Sequence, residues 1–378
     1  MTALYVEIHA LHTLPPSNIN RDDTGSPKSA MYGGVRRARV SSQAWKRAIR
    51  THFNATIDPA DRSYRTTHLV EKIAGYITDI NPELNEKAGD YAKKALAALG
   101  LKTAKPKGGE EQDFEVTGYL VFMSAHQLRA IAENVVASIQ DDGSLALDKK
   151  SLLALTKGKH SVDIALFGRM VADVPDMNLD ASAQVAHALG VSRLDTEFDF
   201  FTAVDDAKAE QSDADKGAGM IGTVEFASTT FYRYATVNVT SLTQSLGEPE
   251  AAKAAVLQFV DSFVKSMPTG KQNTFANRTL PDGLVITLRT DQPASYVGAF
   301  EEPLTPLPGE ALSTHAARTL VEYASSLSEA YGTTPEVTLT QGVGTVGETL
   351  SSLGAKHSLP DLLSTLDQEL SHRLAIQG

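Results

Sequence analysis

The first dozen residues alternate. Leu4, Val6, Ile8 and Ala10 fall on one face and Tyr5, Glu7 and His9 on the other, the period of a strand buried on one side. A sheet therefore opens the fold, and Pro15-Pro16 is expected to end its first strand. The stretch up to Gly33-Gly34 is rich in Asn, Asp, Ser and Gly and reads as a long loop, of a length that usually serves a function. Val35–Val40 reads as extended, and Ser41 or Ser42 then caps a helix to about Phe53. Two helices are expected over 66–100, the second with Pro82 in its first turn and Gly100 at its end. A Lys/Pro/Gly-rich linker follows, then a strand over 114–123, and Ser124-x-x-Gln127 opens a helix to about Ile139. Lys149–Lys159 reads as a loop and SVDIALFGRM (161–170) as a strand. Residues 197–204 and 220–226 read as the two strands of a hairpin, and 230–240 alternates again. Helices near 249–267, 311–330 and beyond Pro360 interleave with strands near 283–289 and 336–341. This is not the rhythm of a doubly wound sheet, and no internal repeat is present, so the class is α+β with insertions.

At 378 residues the chain has room for two or three domains, and 42% hydrophobic residues suit a globular protein. No apolar run approaches the roughly 18 residues that a membrane span needs. The opening MTALYVEIHAL has no basic stretch, apolar run or cleavage site of a leader, so a cytoplasmic location is expected. Cysteine is absent, which removes disulfides, thiolate metal sites and cysteine nucleophiles together.

Charge is unevenly spread. The formal net charge is −11, yet residues 21–50 hold Arg21, Lys28, Arg36, Arg37, Arg39, Lys46, Arg47 and Arg50 against Asp22 and Asp23. That local +6 leaves −17 on the rest, a pattern that points to one anion site on a repulsive body. At about 100° per residue, Gln43, Lys46, Arg47 and Arg50 share one helix face, opposite Trp45, Ala48, Ile49 and Phe53. Cations spread over several turns suit a chain of phosphates, and a capped helix start after Gly-Gly adds backbone donors. From charge spacing alone, a solvated basic face is the plainer reading.

Other signals are weaker. Asp22 and Asp23 could hold a metal, or simply turn the loop and pair with Arg21. His9 and His12 have odd spacing on a strand and point to opposite faces, poor zinc geometry. His52, His126 and His187 read as packed or surface histidines. Common hydrolase, zinc-protease and nucleotide-loop signatures are missing. Phe198, Phe200 and Phe201, with Met220 and Ile221 opposite, form either an ordinary hairpin stem or a face that stacks on bases. The hairpin tip carries Asp205, Asp206, Glu210, Asp213 and Asp215 against Lys208 and Lys216, which disfavours phosphate there.

NRDD (20–23), GG-x-RR-x-R-V-SSQ-x-x-KRA-x-R (33–50), DIALFGRM (163–170), DFFTAVDD (199–206), EF-x-x-x-x-FYRYA (225–235) and GKQ (270–272) together resemble the CasC-type backbone subunit of type I-E CRISPR Cascade complexes. The resemblance implies an RRM-like (ferredoxin-like) palm, a mostly helical fingers insertion and a β-hairpin thumb. The palm would take 1–59, 186–194 and 228–378, the fingers 60–185 and the thumb 195–227. It implies no catalytic role, no metal and no cofactor. Partners would be guide RNA, further copies of the chain, the other Cascade subunits (large, small, guide-processing and guide-end-capping) and, through the guide, target DNA.

Carried onto this sequence, the RNA-binding residues would be Arg21, Lys28, Ser41, Gln43, Lys46, Arg47, Arg50, Met170 and Lys271. Phe200, Phe201, Thr202 and Met220 would displace bases, and Lys149, Lys150, Lys157 and Lys159 would meet DNA from the fingers. Such a subunit should bind phosphates and shape, leaving sequence reading to base pairing. Two rival classes stand beside it. One is a metal-dependent ribonuclease using Asp22 and Asp23; the other is an enzyme acting on a small phosphate compound through the arginine cluster.

Overall fold

The computed structural model describes residues 3–106, 113–203 and 220–377. The N-terminal segment forms β1 (Tyr5–Ser17), β2 (Ser29–Tyr32), β3 (Val35–Val40) and α1 (Ser42–Thr56). Then come β4 (Ser63–Thr66), α2 (Leu69–Ile80), α3 (Asn85–Leu99), β5 (Thr103–Ala104), β6 (Val116–Thr117), β7 (Val121–Ser124), α4 (Ala125–Ala137), α5 (Lys149–Thr156) and α6 (Val162–Phe167). The chain continues through β8 (Ala183–Val185), β9 (Ala188–Gly190), β10 (Glu197–Ala203), β11 (Met220–Asn238), α7 (Val239–Leu246) and α8 (Pro249–Lys265). It closes with α9 (Gln272–Phe275), β12 (Gly283–Arg289), α10 (Leu312–Tyr331), β13 (Val337–Gly342), α11 (Gly344–Leu350), β14 (Ala355–Lys356) and α12 (Leu359–Gln377). Sheet and helices are mixed, as the α+β reading has it.

Two compact units divide the chain. One takes the residues up to Ile49, Val185–Thr236 and everything from Leu257 on. Its large sheet runs β14-β13-β12-β1-β11-β9-β3-β2, with β10 hydrogen-bonded to β11. β13 and β14 pair parallel, whereas β1 with β12 and β12 with β13 pair antiparallel. Val6, Ile8 and Ala10 are buried as expected, but so are Glu7 and His9, so β1 is not half-exposed. Its polar face survives burial because most of its groups find partners: Glu7 pairs with Arg289 at 2.7 Å and accepts from Tyr234 and Thr287, while His9 Nδ1 lies 2.8 Å from Tyr232 OH and the ring stacks on Tyr296 at 4.0 Å. Pro15-Pro16 does not end the strand either. Extended backbone runs to Ser17, past the Tyr5–Leu11 segment that pairs with β12, where a missing N–H costs no ladder bond to that neighbour. The expected loop before Gly33-Gly34 contains a further strand, β2, which makes a hairpin with β3.

The other unit takes Arg50–Gln184 and Val237–Val256. Helices α2, α3 and α4 pack around Ile73, Leu96, Leu99, Leu128 and Val135, with β4 and β7 as a small antiparallel pair. The capping box forms: Gln127 N–H donates to Ser124 Oγ at 3.1 Å, and Ser124 N–H to Gln127 Oε1 at 3.3 Å. Gly100 ends α3 in a left-handed conformation, as its position predicts. Three local expectations fail. Residues 162–167 are a helix, not a strand, because a short run buried on all sides carries no period to tell the two apart. Lys149–Thr156 is helix α5, capped by Asp148 and anchored by buried Leu152 and Thr156, rather than a loop. The strand expected over 114–123 breaks into β6 and β7 around Gly118.

Candidate nucleic-acid interface

In the sheet-bearing unit, one network of backbone bonds gathers the basic residues. Asn20 Oδ1 accepts the Ser41 N–H at 2.8 Å, tying the loop to the start of α1. Lys28 N–H donates to Asn20 O at 2.9 Å, and Arg39 N–H to Lys28 O at 2.8 Å. Arg21 and Pro27 bridge the loop's neck, and Asn18 Nδ2 holds its far side through Gly25 O at 3.0 Å. Gly270 completes the frame: a Cβ there would lie 2.4 Å from Ile19 O, so only glycine lets the 270–272 turn pack on this loop and bring Lys271 beside it.

The helix α1 is held from beneath. Trp45 and Ile49 are buried, and the Arg233 guanidinium lies over the Trp45 ring at 3.6 Å and over the Phe263 ring at 4.1 Å. Gln43 and Arg47 are exposed, and Lys46 is half-buried, which lowers its pKa from the ordinary lysine value. Ser41 is buried, its hydroxyl accepting the Ala44 N–H at 3.3 Å as a helix cap.

Not every arginine in the run faces out. Arg37 is 0% exposed and donates to the carbonyls of Gly190, Phe300 and Glu301, so it clamps the fold. Asp22 is likewise committed to its own loop. Its Oδ1 accepts from Thr24 N–H at 3.0 Å, Thr24 Oγ at 2.7 Å and Ser26 N–H at 3.0 Å, and these bonds lower its pKa, the Thr24 hydroxyl most. That is the turn-making role. Among the described residues no group of three or more His, Asp or Glu side chains is placed to hold a metal ion.

The hairpin of β10 and β11 is set differently. Phe198 is 59%, Phe200 74% and Phe201 40% exposed, and Thr202 is also exposed, so neither face of β10 is covered. Phe201 lies across Gly222 on the partner strand, where a Cβ would meet its ring at 2.3 Å. Met220 pairs with Ala203 through the backbone. The acidic tip, 205–216, lies outside the described residues.

In the helical unit, Arg50 Nε donates to buried Asp163 at 3.2 Å, and its guanidinium lies over Phe122 at 4.5 Å. Asp163 also accepts from Ser63 and Ser161. Met170 is 83% exposed between two fixed neighbours. Arg169 is buried, donating to the carbonyls of Met177, Phe122 and Thr156, and Val171 N–H donates to Asn178 Oδ1 at 2.6 Å. Lys149, Lys150, Lys157 and Lys159 are exposed at the two ends of α5. The segment after it is no flexible loop, because Ser124 Oγ donates to Lys159 O and Gln127 Nε2 to Gly158 O, both at 2.9 Å.

Residues 6–365 match the family model described as CT1975-like protein. The chain belongs to the CT1975-like family. No curated protein matches it. Among solved structures, the CT1975-like chain is similar to a chain of a CRISPR RNA-guided surveillance complex, pre-nicking, with 32% identity and a TM-score of 0.83. That match covers 97% of this chain and all of the other. A chain of another CRISPR RNA-guided surveillance complex matches at 28% identity and a TM-score of 0.75, covering 97% and 99%. Sequence reasoning passed over Arg39, whose backbone bond to Lys28 sets it beside the loop, and His187, whose ring meets the Arg39 guanidinium. Arg39 stood in the quoted basic run. For His187 no sequence signal existed, because its partner is 148 positions away.

Proposed function

We propose that this CT1975-like chain is a non-catalytic backbone subunit that binds CRISPR guide RNA, stacks with further copies along it and presents it to target DNA. The observation that carries the reading is the full-length likeness to a surveillance-complex chain at 32% identity, joined to a basic helix face framed by the loop bearing Arg21 and Lys28. The sheet order β12-β1-β11-β9, with α1 after β1 and α8 after β11, supports a ferredoxin-like palm. Residues 60–185 would be the fingers and the β10–β11 hairpin the thumb. Arg21, Lys28, Gln43, Lys46, Arg47 and Lys271 would meet phosphates, with Ser41 holding the helix start and Met170 touching a base. Arg50 would contribute through whatever of its guanidinium Asp163 leaves unused. The lysines around α5 would draw duplex DNA during target search, a long-range effect of charge. The ribonuclease alternative loses ground because Asp22 is spent within its own turn.

Native mass spectrometry of the protein purified with its bound RNA tests the reading. Several copies on one RNA of uniform length are expected; a bare monomer that retains no RNA would sink it.

A further inference from the structure

Lys28, Arg39 and His187 meet on the sheet-bearing unit. Arg39 belongs to β3 and His187 precedes β9; the pairing of Val40 with Ala188 sets their side chains diagonally across the two strands. Arg39 Nη1 lies 3.1 Å from His187 Nδ1. A guanidinium N–H can only donate, so Nδ1 carries the lone pair and the imidazole is neutral, with its proton on Nε2. Burial, and then the charges of Arg39 and Lys28, hold the His187 pKa below the ordinary histidine value. Those two cations, from β3 and from the loop ahead of β2, are the charged groups acting on the ring. Arg39 Nε donates to the Ser29 carbonyl at 3.2 Å rather than to a carboxylate. Among the described residues neither Lys28 nor Arg39 forms an ion pair with an acidic side chain. A small hollow, lined for the most part by apolar side chains such as Leu14, Val40 and Phe231, also touches Lys28 and Arg39.

Two cations and an imidazole gathered with no counter-anion among the described residues repel one another, and an anion placed among them relieves that repulsion. We propose that Lys28, Arg39 and His187 together hold one backbone phosphate of the bound RNA, and that His187 takes a proton from solvent as the phosphate arrives. The inference rests on the RNA-binding reading above and adds two residues and a proton to it. Once the phosphate accepts from Arg39 and Lys28, the imidazole no longer faces bare positive charge. Its protonated form then gains a charge-assisted bond of its own. RNA binding raises the His187 pKa, so affinity grows as pH falls through the histidine range and levels off above it.

The test uses the full chain, a fluorescently labelled oligouridine, and anisotropy titrations at pH 8 and pH 6 in the same salt. Wild type is expected to bind about three- to tenfold tighter at pH 6, since each unit of linked pKa change is worth a factor of ten. His187→Gln, which keeps a neutral polar side chain at this exposed position, should bind somewhat more weakly than wild type at pH 8 and lose most of the further gain at pH 6. Calorimetry in two buffers of different ionisation enthalpy should show proton uptake in wild type near pH 6.5 and none in H187Q. Lys46→Ala/Arg47→Ala serves as the control for the underlying reading and should weaken binding equally at both pH values. A wild type that binds RNA with the same pH profile and proton count as H187Q overturns this inference alone. A wild type that binds no RNA at either pH overturns the reading it rests on, and the inference with it.

Discussion

The first half of α1, up to Ile49, and the β10–β11 hairpin belong to the same unit and both offer large side chains to solvent, yet they are built on opposite principles. Helix α1 has a packed underside, with Trp45 against Arg233, and an outer face of charged and polar groups. Strand β10 has no such underside among the described residues. Phe198 and Phe200 point one way and Phe201 the other, and all three are exposed. A charged face is at ease in water without a partner, whereas an uncovered aromatic strand is an unmet demand for one. On the proposed reading, the first region would supply salt-dependent attraction, and the second contacts that form only when something is laid against it.

The sharpest way to break this contrast is from below. Trp45→Ala removes the support of α1 and should cost about 3–5 kcal/mol of stability, read by chemical denaturation. A loss under 1 kcal/mol would mean that the helix is not seated by this ring. Next in size is the pair Lys46→Ala/Arg47→Ala. RNA affinity should fall about tenfold or more, equally for all sequences, and the slope of log affinity against log salt should drop by about 1.4 for two phosphates on a single strand. An unchanged slope would remove both residues from the backbone contacts.

Phe200→Ala should leave stability within about 0.5 kcal/mol of wild type, because the ring packs on little. It should nonetheless weaken the RNA complex by about 1–3 kcal/mol for each base that the ring stacks on. Chemical probing of bound guide should then lose its regularly spaced reactive nucleotides. A large stability loss without an RNA effect would reverse the contrast and make the hairpin an ordinary stem. The smallest effect is expected at Asp22. Its lowered pKa means that the carboxylate supports the folded loop above the carboxylate range, and that this support is lost as pH falls through the folded pKa. Asp22→Asn should flatten that acid limb slightly, and no change in Mg²⁺-dependent RNA cleavage should accompany it.

Much of this was legible beforehand where the decisive contacts are local. The capping box at Ser124, the left-handed Gly100, the amphipathic α8 and α10 and the strand β12 follow from residues within a few positions of one another. The cationic face of α1 was equally readable, since helical spacing alone sets Lys46, Arg47 and Arg50 together. Reading failed where burial erased the period, as in α6, and where short capped segments resembled loops, as in α5.

Which arginines of the basic run can meet a ligand is a different matter. Arg36, Arg37 and Arg39 look alike in sequence, but Arg37 is consumed by carbonyls of Gly190, Phe300 and Glu301, and Arg39 meets His187. The polar face of β1 likewise looks solvent-bound until Arg289, Tyr234 and Thr287 close over Glu7. Sequence by itself determined the periodic elements, their caps and the uneven charge, because those depend on neighbours along the chain. Tertiary structure decided which polar side chains are spent inside the fold and which remain for a partner, because a buried charge is tolerated only where distant residues supply its hydrogen bonds, and those partners come together only when the chain has folded.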